Sequence, residues 1–229
     1  MTRRSDILGV DEIYRSDGAI KDRGLIYTTE CGWVDLGHAN PHGKGFEGAS
    51  ALWDQIRART DYLSCARETT PAVIIYKQSM RKFGMEAGVT RRYHVLRDLS
   101  SNQEQKSIAL AIFLDVSLAF EGLQSNWFFR HVTDSGYSVE DLLSNLIGFY
   151  RAVNPGIDYI KICRPVSKER ALATWDAFGA VGNTKNIEAR PVFYPDPLSE
   201  CGFPRKGALP PQLNTIKPSV IGENFREIR

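Results

Sequence analysis

The chain has 229 residues, 42% of them hydrophobic and 24% charged, which is enough apolar content to bury the core of one domain. Lys and Arg number 29 against 27 acidic residues, and the formal net charge of +2 gives no field of the kind that predicts a nucleic-acid partner. Cysteines at 31, 65, 163 and 201 form neither a CxxC pair nor a zinc-finger spacing, so reduced thiols are expected, with room for one or two pairs and no structural zinc or cofactor.

The N-terminus, Met-Thr-Arg-Arg-Ser-Asp, is followed by Ile-Leu-Gly-Val-Asp-Glu and lacks the apolar stretch of a secretory signal. A protein made in the cytoplasm is expected, reaching the periplasm or the exterior by a secretion machine or by lysis. Residues 1–23 are polar and without periodicity, an irregular arm. Gly24-Leu-Ile-Tyr-Thr-Thr reads as a strand and leads into Glu30-Cys31-Gly32-Trp33-Val34-Asp35-Leu36-Gly37-His38. Cys31 sits where a helix would start, and a helix N-terminus favours the thiolate. Asp35 and His38 are three residues apart, on one face of any helical turn, where the carboxylate would fix the tautomer of the imidazole for proton transfer. His38 and His42 have a metal-ligand spacing, but Pro41 breaks a helix through both, so no metal is assigned.

Ala49 to Arg59 reads as an amphipathic helix with Leu52, Trp53 and Ile56 inward. Pro71 to Lys77 and Arg91 to Arg97 read as an antiparallel pair of strands joined by a loop with Gly84 and Gly88. His94 lies within the second of these, a partner for a Cys31 nucleophile of the type papain-like cell-wall amidases use, with Asp115 to orient it. The alternative for Cys31 is a buried small hydrophobe.

Ser101-Asn-Gln-Glu104 spells a capping box, and the run from Ser107 to Phe120 is apolar on nearly every side of a helical wheel. It falls short of the roughly 20 residues a bilayer span needs, so protein must bury it and no transmembrane segment is expected. Glu121 follows Leu110, Leu114 and Leu118 at helical spacing, just before a Gly122 stop. A carboxyl at the end of an apolar face is held protonated, the condition for a general acid at neutral pH, unless its head reaches solvent. Trp127, Phe128, Phe129 and His131 then form either an aromatic platform for a sugar or peptide or a set of loop anchors.

Ser138-Val-Glu-Asp141 is a second capping box, opening a helix with Leu142, Leu143, Leu146, Ile147 and Tyr150 on one face. Ser144 and Asn145 within it need hydrogen-bond partners, and a polar cluster with Glu121 is the natural supposition. Ile157 to Cys163 alternates as a strand does, Ser167 caps a helix that runs to Phe178 and Gly179, and Glu188 to Tyr194 reads as an edge strand around Pro191. Six prolines between Pro195 and Pro218 mark an extended tail. The sum is an α+β fold: a single domain with a buried helical core, a small mostly antiparallel sheet and a Pro-rich tail, arranged as an arm over 1–23, a catalytic domain over 24–195 and a wrapping tail over 196–229.

The order Tyr27-Thr-x-x-Cys31-Gly-Trp-Val-Asp35-Leu-Gly-His38, a long apolar helix ending at Glu121, and Tyr137-Ser-Val-Glu-Asp-Leu-Leu-Ser-Asn-Leu-Ile-Gly148 resembles the bacterial secreted and lipoprotein family called domain of unknown function 4056, over residues 24–150. The resemblance implies an envelope setting and no particular reaction. That family is expected to carry a His directly before the helix-end Glu, where this chain has Phe120, which weakens a zinc-protease reading that needs a His-Glu pair and leaves Glu121, Asp35 and His38 in place. Residues 138–148 are also loosely similar to the helix after the catalytic Glu of lysozyme-like transglycosylases. The expectation is a peptidoglycan-cleaving hydrolase or lytic glycosidase of the bacterial envelope, in the role of an antibacterial effector, with Glu121 as general acid and base, His38 with Asp35 as proton-shuttling pair, and Ser144, Asn145, Trp127 and His131 holding substrate. Its partners would be a cell-wall fragment and an immunity or secretion-machine protein, with no nucleic acid. A cysteine amidase on Cys31 and His94, and a non-enzymatic binding or adaptor protein, stand as alternatives.

Overall fold

The structure, a computed structural model, describes residues 3–65, 72–82, 85–96, 101–125, 141–181, 189–199 and 201–228. Among them are five α-helices and seven strands in three small antiparallel sheets, an α+β fold. No helix among the described residues is long and apolar enough to cross a membrane. The chain divides into two compact units: Met1–Asn40, Gln124–Arg151 and Pro155–Asn214 in the first, and Pro41–Leu123, Ala152–Asn154 and Thr215–Arg229 in the second.

In the first unit, β1 (Leu25–Thr28) and β2 (Gly32–Asp35) form a hairpin in which Tyr27 faces Trp33 and Leu25 faces Asp35. The hairpin closes tightly because Thr28 Oγ1 donates to the Gly32 carbonyl at 2.9 Å and accepts the Cys31 amide at 3.1 Å. Gly32 has φ 68°, and a Cβ there would stand 2.3 Å from the Val192 carbonyl, so both its conformation and its close neighbour require glycine. The start of the chain, expected to be irregular, makes two 3₁₀ turns, Arg4–Asp6 and Val10–Glu12, and buries Ile7 and Ile13. Ile7 joins Leu25, Tyr27, Trp33, Val166, Ala171 and Val192 in one apolar cluster, with Trp175 edge-on to Trp33.

The helix that begins at Asp141, here α3 (Asp141–Val153), buries Leu142, Leu143, Leu146, Ile147 and Tyr150, the expected face. Its expected cap, Ser138, lies outside the described residues. The segment from Ile157 to Cys163 is not a strand. Asp158 caps a single helical turn, α4 (Tyr159–Ile162), by accepting the Lys161 amide at 2.9 Å. Tyr159, Ile160 and Cys163 are buried at a spacing that one helical turn satisfies as well as a strand does, and the local cap decides between them. The next helix, α5 (Lys168–Phe178), starts on Ser167 and ends at Gly179 with φ 82°, as the sequence predicts. The edge strand shrinks to β5 (Val192–Phe193), paired with β6 (Arg205–Lys206) from the Pro-rich stretch.

In the second unit, α1 (Ala49–Cys65) buries Leu52, Trp53 and Ile56 as expected. It also covers the open edge of β3 (Ala72–Lys82): the Gln55 amide accepts from the Ile75 N–H at 2.9 Å and donates to the Ile75 carbonyl at 2.8 Å. β3 pairs with β4 (Met85–Val95) over their whole length, so Gly88 stands inside β4 opposite Ser79, and the expected loop contracts. A Cβ at Gly88 would meet Ser79 Cβ at 2.6 Å, a close strand approach that only glycine permits. The last strand, β7 (Phe225–Ile228), comes from the expected tail and adds to β4. The helix α2 (Asn102–Ser125) begins on the predicted capping box, the Glu104 amide donating to Ser101 Oγ at 3.1 Å. It runs through Gly122 and not to a stop there, since one glycine costs a helix only about 1 kcal/mol.

Candidate functional site

Asp35 ends β2 and turns the chain. Its Oδ1 accepts the amides of Gly37 at 2.7 Å and His38 at 3.3 Å, and its carbonyl accepts the Ala39 amide at 2.9 Å. Aspartate does this routinely, satisfying free amides at the start of a turn. The carboxylate therefore serves the backbone of the turn; the Asp35–imidazole pairing expected from the sequence gives way to this local bond. What Asp35 achieves is to place His38.

The other half of the site is one stripe of α3. Asp141, Ser144, Asn145, Gly148 and Arg151 recur at helical spacing on the side opposite the leucines, and each meets the 35–39 turn. Ser144 Oγ is buried and accepts the Asp35 amide at 2.9 Å. Asn145 Oδ1 lies 3.3 Å from His38 Nδ1, and Asp141 Oδ1 lies 3.6 Å from His38 Nε2. A Cβ on Gly148 would stand 2.9 Å from the His38 carbonyl, so glycine is what lets the turn lie on the helix. Arg151 Nη1 donates to the Ala39 carbonyl at 2.6 Å. Burial draws the Arg151 guanidinium below its usual value, against the pull of Asp158, Tyr14 and Asp22.

The geometry bears on protonation. A donor Nδ1 suits the Asn145 carbonyl oxygen, and a donor Nε2 suits the Asp141 carboxylate, which can only accept. The Asp141 side chain is 8% exposed and that of His38 is 36% exposed, so the carboxylate sits within the cluster while the imidazole opens to solvent. The ring is thus held on one side by α3 and open to solvent on the other.

Of the sequence-predicted residues, Asp35, His38, Ser144 and Asn145 come together here. The sequence offers Asp141 as a cap and, with Asp35, as a candidate second carboxylate beside Glu121, and it gives Gly148 and Arg151 no role; the i, i+3, i+4, i+7 and i+10 recurrence from position 141 was the available signal. Trp127 and His131 lie outside the described residues. Glu121 belongs to α2, and its side chain lies outside the described residues; on the stripe that leads to it, Leu110 is buried and Leu118 is 48% exposed.

The cysteine alternative fares differently. Cys31 is in the β1–β2 turn and not at a helix start, because the glycine-bearing hairpin takes precedence over helix formation, and it is fully buried. The Glu30 amide donates to the Cys163 carbonyl at 3.1 Å, which sets the two cysteines side by side. Its hydrogen bond with Cys31, and then burial, push the Cys163 thiol well up, the opposite of nucleophile activation. In the second unit, Asp115 accepts from Arg91 Nη1 at 2.6 Å and from the Tyr93 hydroxyl. His94 alternates to the other side of β4, so Asp115 does not orient it; its buried Nδ1 has no hydrogen-bond partner among the described residues.

Among the described residues no group of three or more His, Cys, Asp or Glu is arranged to hold a metal ion. Comparisons with family models, with curated proteins and with solved structures give no match to this chain.

Proposed function

We propose that the protein is a hydrolase of the bacterial envelope that cleaves peptidoglycan, with His38 as the proton-donating group, Asp141 as the carboxylate that holds it charged, and Asn145 as the group that fixes the ring. The observation that carries the reading is the imidazole set between Asn145 Oδ1 and Asp141 Oδ1 while a third of it faces solvent. Both glycan and peptide cleavage need a proton on the departing atom, and a positioned side chain supplies a factor of about 10²–10⁴ for that step. The substrate class is supported by the sequence resemblance to an envelope family and not by the site chemistry. In this reading the protein acts in the periplasm or outside the cell, with a secretion-machine or immunity protein as partner.

A second reading, a non-enzymatic binding protein, is favoured by the Ser144, Gly148 and Arg151 contacts, which satisfy backbone groups and would hold the turn in place without any reaction. Digestion of purified sacculi followed by mass spectrometry separates the two. New fragments, with ends that distinguish glycan from peptide cuts, support the hydrolase; intact sacculi with the protein bound to them support the binding protein.

A further inference from the structure

A cavity of about 490 Å³ opens in the first unit, with Thr29, Arg170, Phe193, Asp196, Phe203 and Arg205 in its walls. None of these belongs to the His38 cluster. The volume is in the range of small-molecule sites, and the walls are more polar than most such sites, with charged side chains beside a few aromatic faces.

The charges in the cavity are unevenly committed. Asp196 Oδ1 accepts the Leu198 amide at 3.1 Å, and its Oδ2 lies 3.2 Å from Arg170 Nε. That approach is an ion pair but lacks the alignment of a hydrogen bond, and Arg170 Nε is buried with no hydrogen-bond partner among the described residues. Asp196 thus balances one arginine. Arg205 stands exposed on β6 with no ion pair among the described residues, which leaves the cavity net positive with arginine donors unspent. Phe203, at 91% exposed, presents a whole aromatic ring to water. Exposed aromatic rings that flank a polar cavity offer a flat surface on which a ligand ring can lie.

We propose that this cavity binds a small ring-bearing carboxylate, with the carboxylate taken by Arg170 and Arg205 and the ring laid against Phe203. The planar guanidinium fork matches a carboxylate in a two-point contact, and hydrogen bonds to charged groups are the stronger kind. If the ring is a sugar, the cell-wall reading points to N-acetylmuramic acid, which carries a lactyl carboxylate that N-acetylglucosamine lacks. That choice of sugar rests on the proposed function; the preference for a ring-bearing carboxylate does not.

The test is calorimetric titration of the full chain with N-acetylmuramic acid, N-acetylglucosamine, benzoate and inorganic phosphate. The carboxylates are expected to bind, with the neutral sugar and phosphate at least about tenfold weaker, and Arg205→Gln and Phe203→Ala each weakening the carboxylates by about tenfold. Both substituted side chains are exposed, so the fold is retained. Benzoate binding without N-acetylmuramic acid supports the cavity and removes its link to peptidoglycan. The proposal is overturned if neither carboxylate binds, if the neutral sugar or phosphate binds as tightly, or if the two variants bind like the wild type.

Discussion

His38 Nε2 lies 3.6 Å from Asp141 Oδ1, and the ring's other nitrogen lies 3.3 Å from Asn145 Oδ1. The two contacts come from successive turns of α3, so the helix itself sets the orientation of the imidazole. In the proposed function the ring held this way gives up a proton, and Asp141 is the carboxylate that favours its charged form. Asp141→Asn keeps the size of the partner and removes its charge. Turnover on sacculi is expected to fall by about 10²-fold with the melting temperature nearly unchanged. Equal turnover in the variant means that the carboxylate plays no part in the proton step.

Ser144 gives a prediction of stability. Its hydroxyl is the acceptor for the Asp35 amide in a buried position, so Ser144→Ala leaves that N–H without a partner and should cost about 1–3 kcal/mol. A urea titration measures this as a lower midpoint at unchanged slope. A midpoint equal to the wild type means that the turn is not docked on Ser144.

At Gly148 the sign of the effect is informative. In an open helix, alanine in place of glycine stabilises by about 1 kcal/mol. Here the added Cβ meets the His38 carbonyl at 2.9 Å and Ala39 at 3.3 Å, both backbone, so Gly148→Ala should destabilise by about 1–3 kcal/mol and lower turnover through a displaced His38. A more stable variant contradicts the packing of the turn against α3.

The thiols are distinguishable by burial. Cys31 and Cys163 are buried against each other, while Cys201 is exposed. Iodoacetamide at neutral pH should label Cys201 in the native protein and spare Cys31 and Cys163, and denaturant should open both to reaction. Rapid native labelling at Cys31 with loss of activity revives the amidase reading.

Much of this fold is carried by local rules. The Ser101 and Ser167 caps, the burial of Leu52, Trp53 and Ile56, and the apolar face of α3 all follow from spacing and hydrogen-bonding capacity within a few residues. Failures arose where a local bond competed with a pattern. Asp158 capped a helical turn in a segment that alternates like a strand, Asp35 bonded its own turn in preference to the imidazole, and Tyr93 with Arg91 took Asp115 from His94. The site was half legible for a related reason. Ser144 and Asn145 announce themselves as polar residues that need partners, and the partners turned out to be Asp35 and His38. The pairing of Asp141 with His38 was hidden because a cap, or a carboxylate partner for Glu121, already accounted for that residue, and Gly148 was hidden because a close backbone approach leaves no mark in the sequence beyond the glycine itself.

The most direct test of the account is the rate of fragment release from purified sacculi by His38→Ala beside the wild type, with the melting temperature measured on the same samples. The account predicts release by the wild type, a fall of about 10²–10⁴ in the variant, and a variant that still unfolds cooperatively, because Asp35, Ser144 and Arg151 hold the turn besides the imidazole. A variant that releases fragments at the wild-type rate contradicts it.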